Sequence, residues 1–396
     1  MSIIEKRNDS GAFRGALREW LSRVVPSDWR ERMTGASPQE FREFQQWWLA
    51  QLDSVGLATP HWPVEWGGVA LSLPNQVIIF EEMARADAPD LVMFTISLYH
   101  LPATLGAWGT PEQVRQYLPA VRRGAVWSQG FSEPQAGSDL ASLRTRAVRD
   151  GERYIVNGQK VWSSYAAYAD YYLLLARTHP DAPKRKGISC FIVDLKSPGV
   201  DIRPIKQING HDEFCEVFLD NVSVPAENRI GPENEGWRVA QSTLSAERGV
   251  LVFALAERMN RIFERMLSKP NPAWAADDEL RRELVSCYGD MQAVRRLIRS
   301  LLSASHGEEA ANSLPPIIKI LYGETLQRFT ELMTRVEALE SQVLRPSFIS
   351  GGYAKGNWMT DYLSSWTWTI SGGSNEVLRN VIAERQLGLP QEPRTS

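Results

Sequence analysis

Residues 145–164, TRAVRDGERYIVNGQKVWSS, alternate apolar and polar positions and carry two hairpin dipeptides, Asp150-Gly151 and Asn157-Gly158. Alternation with a period of two marks a half-buried strand, and both dipeptides favour the positive φ of tight hairpins. Downstream, YYLLLART (171–178), ISCFIVDLK (188–196) and FCEVFLDNVSVP (214–225) are further short β-rich runs. HPDAPKRKG (179–187) and KSPGV (196–200) separate them as loops. The spacing predicts a central β domain over 126–235, antiparallel and barrel-like.

On both sides of this stretch the period becomes helical. Before it, Phe13, Leu17, Trp20, Leu21 and Val24 share one face, as do Phe41, Phe44, Trp48 and Leu52. The loop TPHWPVEWGG (59–68) interrupts, and helices resume over 75–86 and 91–105. Thr110 and Pro111 read as an N-cap and first-turn proline for a helix to about Leu118. After it, long amphipathic stretches run over 237–267, 279–305 and 315–347, with a short one over 375–386. The expected fold is α+β: an N-terminal helical domain (1–125), the β domain (126–235) and a C-terminal four-helix bundle (236–396).

Composition narrows the function classes. The chain has 396 residues and a net charge of -3, which argues against a nucleic-acid surface spanning the protein. Three cysteines, at 190, 215 and 287, match no paired metal motif and fit a reducing, cytoplasmic setting. The N-terminus has charges where a signal peptide needs its apolar run, and no transmembrane span is expected. No P-loop, dinucleotide-fold glycine motif, nucleophile elbow or His-Glu-x-x-His is present. The 14 tryptophans point either to buried aromatic packing or to flat surfaces for a ring-bearing ligand or a partner.

Three segments carry candidate chemistry. FSEPQAGSD (131–139) joins small residues, hydroxyls and free backbone N–H groups; it suits a planar polar group or a phosphate, or is an ordinary turn. VWSS (161–164) sets an indole beside two hydroxyls, either to stack on a ring or as a buried strand tryptophan. ISGGSNE (370–376) feeds a helix N-terminus, either for an anion or simply as a cap by Ser374 or Asn375.

Taken together, these segments closely resemble the flavin-dependent acyl-CoA dehydrogenases. The resemblance also runs through IIFEEMARADAP, WGTPEQVRQYLP, LDNVSVPAENRIG and ISGGSNEVLRNVIAERQLGLP, nearly the whole chain. It implies bound FAD, with Phe131 and Ser132 meeting the isoalloxazine edge and Ser138 near the cofactor or the CoA moiety. It implies that Trp162 packs on the flavin, Ser164 hydrogen-bonds near its reactive nitrogen, and Ser374 and Glu376 lie near its nucleotide end. It implies α,β-desaturation of an acyl-CoA thioester, with a carboxylate taking the α proton and an electron-transferring flavoprotein as acceptor. Many members place the base just before the glycine of the C-terminal loop, where this chain has Gly372. The family's second location for it falls in LSAERG (244–249), so Glu247 is the expected base, with Arg248 supporting it. The competing reading pairs Glu247 with Arg248 or Arg238 at the surface.

The chain departs from the tetrameric members in two places. SKPNPAWAADDELRREL (268–284) replaces the family's Arg-x-x-Phe-Gly, and FISGGYAKGNW (348–358) blurs its glycine loop. Either Arg281 or Arg282 takes over, or a related chain completes the site. The first route leads to a homotetramer. The second leads to a heterotetramer like the bacterial members acting on steroid side-chain or dicarboxylic acyl-CoAs. A base on this helix and the tryptophan content lean toward a bulky or branched acyl group. Two alternatives remain: a non-catalytic or cofactor-sharing subunit, and a flavin-dependent oxidase or monooxygenase on the same fold.

Overall fold

The computed structural model describes residues 2–247, 250–268, 272–302, 307–344 and 356–391. The chain clusters into two compact units: residues 1–16, 23–72 and 89–247 form one, and 17–22, 73–88 and 248–396 the other.

In the first unit, helices precede and flank a sheet of eight strands. The strands are β1 (Trp127–Gly130), β2 (Arg146–Asp150), β3 (Arg153–Ser164), β4 (Tyr171–Arg177), β5 (Ile188–Asp194), β6 (Val200–Pro204), β7 (Phe214–Pro225) and β8 (Arg229–Ile230). Their order is β6-β7-β3-β2-β4-β5-β8, with β1 also paired to β4. The expected antiparallel, barrel-like domain is corrected on two counts. The sheet is mixed, because β1 and β2 both lie parallel to β4. It is also open. Closure would need a ladder between β6 and β8, but β8 is two residues long and pairs only with β5. β6 pairs only with β7, and none of its residues is buried.

Parallel pairing determines where the 131–145 loop leaves the sheet. β1 covers Tyr171–Leu174 of β4, and β2 reaches the same strand at Arg177. The loop is therefore an excursion between two strands that share one neighbour. β1 ends at Gly130, a position that must lack a side chain because a Cβ there would fall 2.3 Å from the Tyr172 ring. The Asp150-Gly151 turn does join β2 to β3, with Asp150 opposite Arg153. Asn157-Gly158 does not turn. It lies inside β3 at a bulge against β7, where Asn157 accepts the Asn221 N–H at 2.8 Å.

Helix Pro111–Arg122 shows the expected cap. The Thr110 hydroxyl accepts the Gln113 N–H at 3.2 Å, and the Gln113 side chain accepts the Thr110 N–H at 3.0 Å. The Gln113 amide then donates to the Glu227 and Arg229 carbonyls at 2.8 and 3.1 Å, tying the helix to the start of β8. Helix Gly236–Glu247 belongs to this unit: Trp108 donates to the Ser242 hydroxyl at 2.9 Å, and Thr104 and Thr243 share a buried bond of 2.7 Å.

The second unit holds the long helices Val250–Leu267, Asp278–Leu302 and Gly307–Val336. Their faces bury Phe263, Met291, Leu326 and Phe329, the apolar stripe that their helical period presents. Arg295 forks onto Glu257 at 2.7 and 3.0 Å, and Gln292 donates to Asn260 at 2.8 Å. Pro315 and Pro316 lie inside the third helix rather than at its start. Among the described residues no helix is long and apolar enough to cross a membrane.

Candidate functional site

The FSEPQAGSD loop is held to the sheet by a buried ion pair. Lys160 lies in β3 on the same even-numbered run as Tyr154 and Val156, all buried. Its ammonium reaches the Glu133 carboxylate at 2.8 Å and the Phe131 carbonyl at 3.1 Å. The two side chains are 0% and 3% exposed. Glu133 also accepts the Arg144 and Thr145 N–H groups at 2.7 and 2.8 Å and the Gln135 amide at 2.7 Å. One carboxylate thus gathers both ends of the loop.

The electrostatics follow from that packing. Burial resists ionisation of Glu133, but the Lys160 ammonium and the Lys160, Thr145 and Arg144 hydrogen bonds outweigh it and hold the carboxyl at about 2. Burial dominates at Lys160 and lowers its ammonium to about 8, against the pull of Glu133. Both groups are charged at neutral pH. Because the folded-state value of Glu133 lies below that of an unfolded glutamate, its contribution is present above the ordinary carboxylate range and is lost as pH falls toward 2. Urea midpoints are expected to drop across that acid window. Glu133→Gln is expected to flatten the drop; an unchanged acid profile in this variant would contradict the role given to Glu133.

VWSS departs from regular strand geometry. β3 is irregular between Lys160 and Ser163, and Trp162 has φ +61°, a conformation uncommon for a bulky side chain. The indole is 57% exposed and meets Phe214 edge-on at 6.1 Å, so it is not a buried strand tryptophan. Ser163 turns inward to share a bond of 2.5 Å with Tyr172. The Ser164 carbonyl accepts the Ser128 hydroxyl at 2.7 Å. The Val161 N–H donates to the Ser132 carbonyl at 3.0 Å, joining this strand to the loop.

The structure therefore brings Phe131, Ser132, Trp162 and Ser164 onto one tied assembly of loop and strand. Phe131 is buried, and Ser138 is exposed farther along the loop. The hydroxyls of Ser132, Ser138 and Ser164 have no protein partner among the described residues, whereas those of Ser128, Ser142 and Ser163 are bonded. The Ser132 N–H has no acceptor among the described residues either.

Ser374 and Glu376 lie in the second unit. Ser374 caps helix Asn375–Val381 by accepting the Val377 N–H at 3.3 Å, and backbone and Ser374 hydrogen bonds lower the exposed Glu376 carboxyl. Gly372 has φ +66°, a left-handed conformation that favours glycine at this position. Buried Lys319 supports the turn by donating to the Gly373 carbonyl at 2.8 Å. Glu247 lies in helix Gly236–Glu247. Its side chain, Arg248, and the 348–355 part of the glycine loop lie outside the described residues. Arg281 is engaged locally, pairing with Asp278 and donating to the Ala275 carbonyl at 2.7 Å, while Arg282 is exposed. Glu133 and Lys160 were not singled out from the sequence. The available signal was a lysine on the inward parity of an alternating strand.

Comparison with known proteins gives a consistent set. Family models for the acyl-CoA dehydrogenase N-terminal, middle and C-terminal domains match residues 8–125, 128–222 and 234–387. The chain is 37% identical over 392 residues to acyl-CoA dehydrogenase IpdE1 of Mycobacterium tuberculosis, covering 98% of this chain and 99% of that protein. It is 39% identical to acyl-CoA dehydrogenase FadE34 of the same organism, covering 98% of this chain and 55% of FadE34. Among solved structures, the Tcur3481-Tcur3483 steroid ACAD matches with a TM-score of 0.82 at 32% identity, covering 97% of this chain and 98% of that one. The ChsE4-ChsE5 complex from Mycobacterium tuberculosis matches at 0.78 and 29% identity, with 97% and 98% coverage.

Proposed function

The chain belongs to the acyl-CoA dehydrogenase family, an enzyme family that uses FAD, and from that premise we propose that it desaturates an acyl-CoA between Cα and Cβ with Glu247 as the base. The single observation that carries the cofactor half of this reading is the unpartnered Ser132 N–H, on a loop pinned by a buried ion pair. With the free hydroxyls of Ser132 and Ser164 and the outturned Trp162 indole, it fits the edge and face of a flat heterocycle. Bound FAD supplies a two-electron acceptor for the hydride from Cβ. The rest falls to the chain. Phe131 and Ser132 orient the ring edge, Trp162 packs against it, Ser164 donates near its reactive nitrogen, and Ser374 and Glu376 serve the nucleotide end. Ser138 serves the cofactor or the CoA moiety.

Glu247 removes the α proton, supported by Arg248. An apolar acyl chain beside the carboxylate would raise its pKa toward the working pH and make it a better base. The domain division 1–125, 126–235 and 236–396 belongs to the same reading. So does an electron-transferring flavoprotein as acceptor.

The substrate is proposed to be bulky or branched, such as a steroid side-chain CoA. The steroid ACAD named among the solved relatives supports this. A panel of steroid, branched and linear acyl-CoAs tests it: kcat/KM is expected to be highest for the steroid thioesters, and a preference for linear chains would overturn the assignment.

A second reading, a heterotetramer with a related chain, is favoured by a specific observation. The 268–284 segment lacks the family's arginine motif, and Arg281 is already committed to Asp278 and Ala275. Two-chain relatives among the solved structures point the same way.

A further inference from the structure

We propose that Lys160 is a positioning residue for the flavin: by binding the Phe131 carbonyl it turns and polarises the Phe131–Ser132 peptide, so that the Ser132 N–H is presented as a strengthened donor to the isoalloxazine edge. This rests on the reading of Phe131 and Ser132 as flavin contacts.

The geometry is that of a single peptide unit. In a trans peptide the C=O and N–H point in opposite directions. Among the described residues no peptide bond is cis, and the Phe131 carbonyl points at the Lys160 ammonium at 3.1 Å. The Ser132 N–H on the same unit must therefore point away from Lys160, and there it meets no acceptor among the described residues. An N–H without a partner costs free energy unless something outside the chain accepts from it.

The orientation is fixed from three sides. Glu133 fastens the ammonium at 2.8 Å, the buried Phe131 side chain anchors one end of the peptide, and the Val161 N–H holds the Ser132 carbonyl at 3.0 Å on the other. A charge-assisted hydrogen bond at a carbonyl polarises its amide, and in a dry interior hydrogen bonds in a chain strengthen one another. Lys160 and Glu133 are both nearly inaccessible to water, so this polarisation is weakly screened. A flavin gains electron density at its ring edge on reduction. A stronger donor there favours the reduced form and shifts the potential upward.

The role differs from simple fastening of the loop. Glu133 gathers the loop through the Arg144, Thr145 and Gln135 donors. Among the described residues, Lys160 is the donor to the carbonyl whose amide faces outward.

The test uses the full chain, expressed with a related partner chain if FAD requires it. Wild type, Lys160→Met, Glu133→Gln and the double variant Lys160→Met/Glu133→Leu are compared by FAD dissociation constant, visible flavin spectrum and midpoint potential from dye equilibration. The double variant removes both charges, so it keeps the test open if Lys160→Met alone fails to fold. Both Lys160 variants are expected to favour oxidised flavin at least tenfold more than wild type, a fall of about 30 mV for a two-electron couple. Glu133→Gln, which keeps the ammonium on the carbonyl, is expected to stay nearer to wild type. Wild type that binds FAD and a double variant with unchanged potential and spectrum would overturn this inference while leaving the flavoenzyme reading intact. Wild type that binds no FAD, alone or with its partner, would overturn both.

Discussion

Glu247→Gln is expected to lower kcat on a good acyl-CoA substrate by on the order of 10³-fold, the usual scale for losing a general base. Glutamine keeps the shape and cannot take a proton. Substrate binding and FAD content should therefore stay close to wild type, so that the loss falls on kcat rather than on KM. Exchange of the α hydrogen with solvent deuterium should disappear with it, because that exchange needs only the base. Glu247 lies in Gly236–Glu247, a helix anchored by Trp108 on Ser242 and by Thr104 on Thr243. The alternative base location holds Gly372, whose positive φ a glutamate would adopt only with strain. A variant with full activity would return Glu247 to the surface-pair reading.

The second large effect is on stability. Lys160→Met leaves the Glu133 carboxylate buried without its cation, a change that typically costs about 3–5 kcal/mol. The three other donors to Glu133 lessen the penalty without removing it. Adding Glu133→Leu should recover only part of the loss: it removes the unpaired charge, but it also takes the acceptor from the Arg144 and Thr145 N–H groups and the Gln135 amide. Urea midpoints of the single and double variants measure both effects. A Lys160→Met midpoint equal to wild type would mean that the pair is wetter than its 0% and 3% exposures indicate.

Much of the fold is legible where one local rule acts alone. The Thr110 cap, the helical faces built on Phe41, Phe44 and Trp48, and the Asp150-Gly151 hairpin all follow from residues within one turn of each other. The misreadings arise where a distant partner decides. Asn157-Gly158 has hairpin chemistry, but Asn221 on β7 occupies the Asn157 side chain and the pair becomes a bulge. The mixed character of the sheet comes from β1 and β2 lying parallel to β4, and the alternation of such short strands says nothing about a parallel partner. Pro315 and Pro316 look like a helix start, yet they lie inside helix Gly307–Val336.

The same division holds at the site. The motif strings carry the loop and the tryptophan, and the resemblance supplies their expected roles. The ion pair beneath them spans residues 133 and 160 and becomes visible only when β3 lies against the loop. The positive φ of Trp162 is equally silent in the sequence, since nothing in VWSS demands it.

The most direct test is a single anaerobic turnover: FAD-loaded protein, with its partner chain if FAD requires one, is mixed with a steroid side-chain acyl-CoA. The visible flavin absorbance is followed, and the thioester is then weighed by mass spectrometry. Bleaching in wild type, with a product lighter by two hydrogens, and neither change in Glu247→Gln is the expected result. Wild-type flavin that stays oxidised with every acyl-CoA of the panel, although FAD is fully bound, would contradict the assignment of dehydrogenation to this chain.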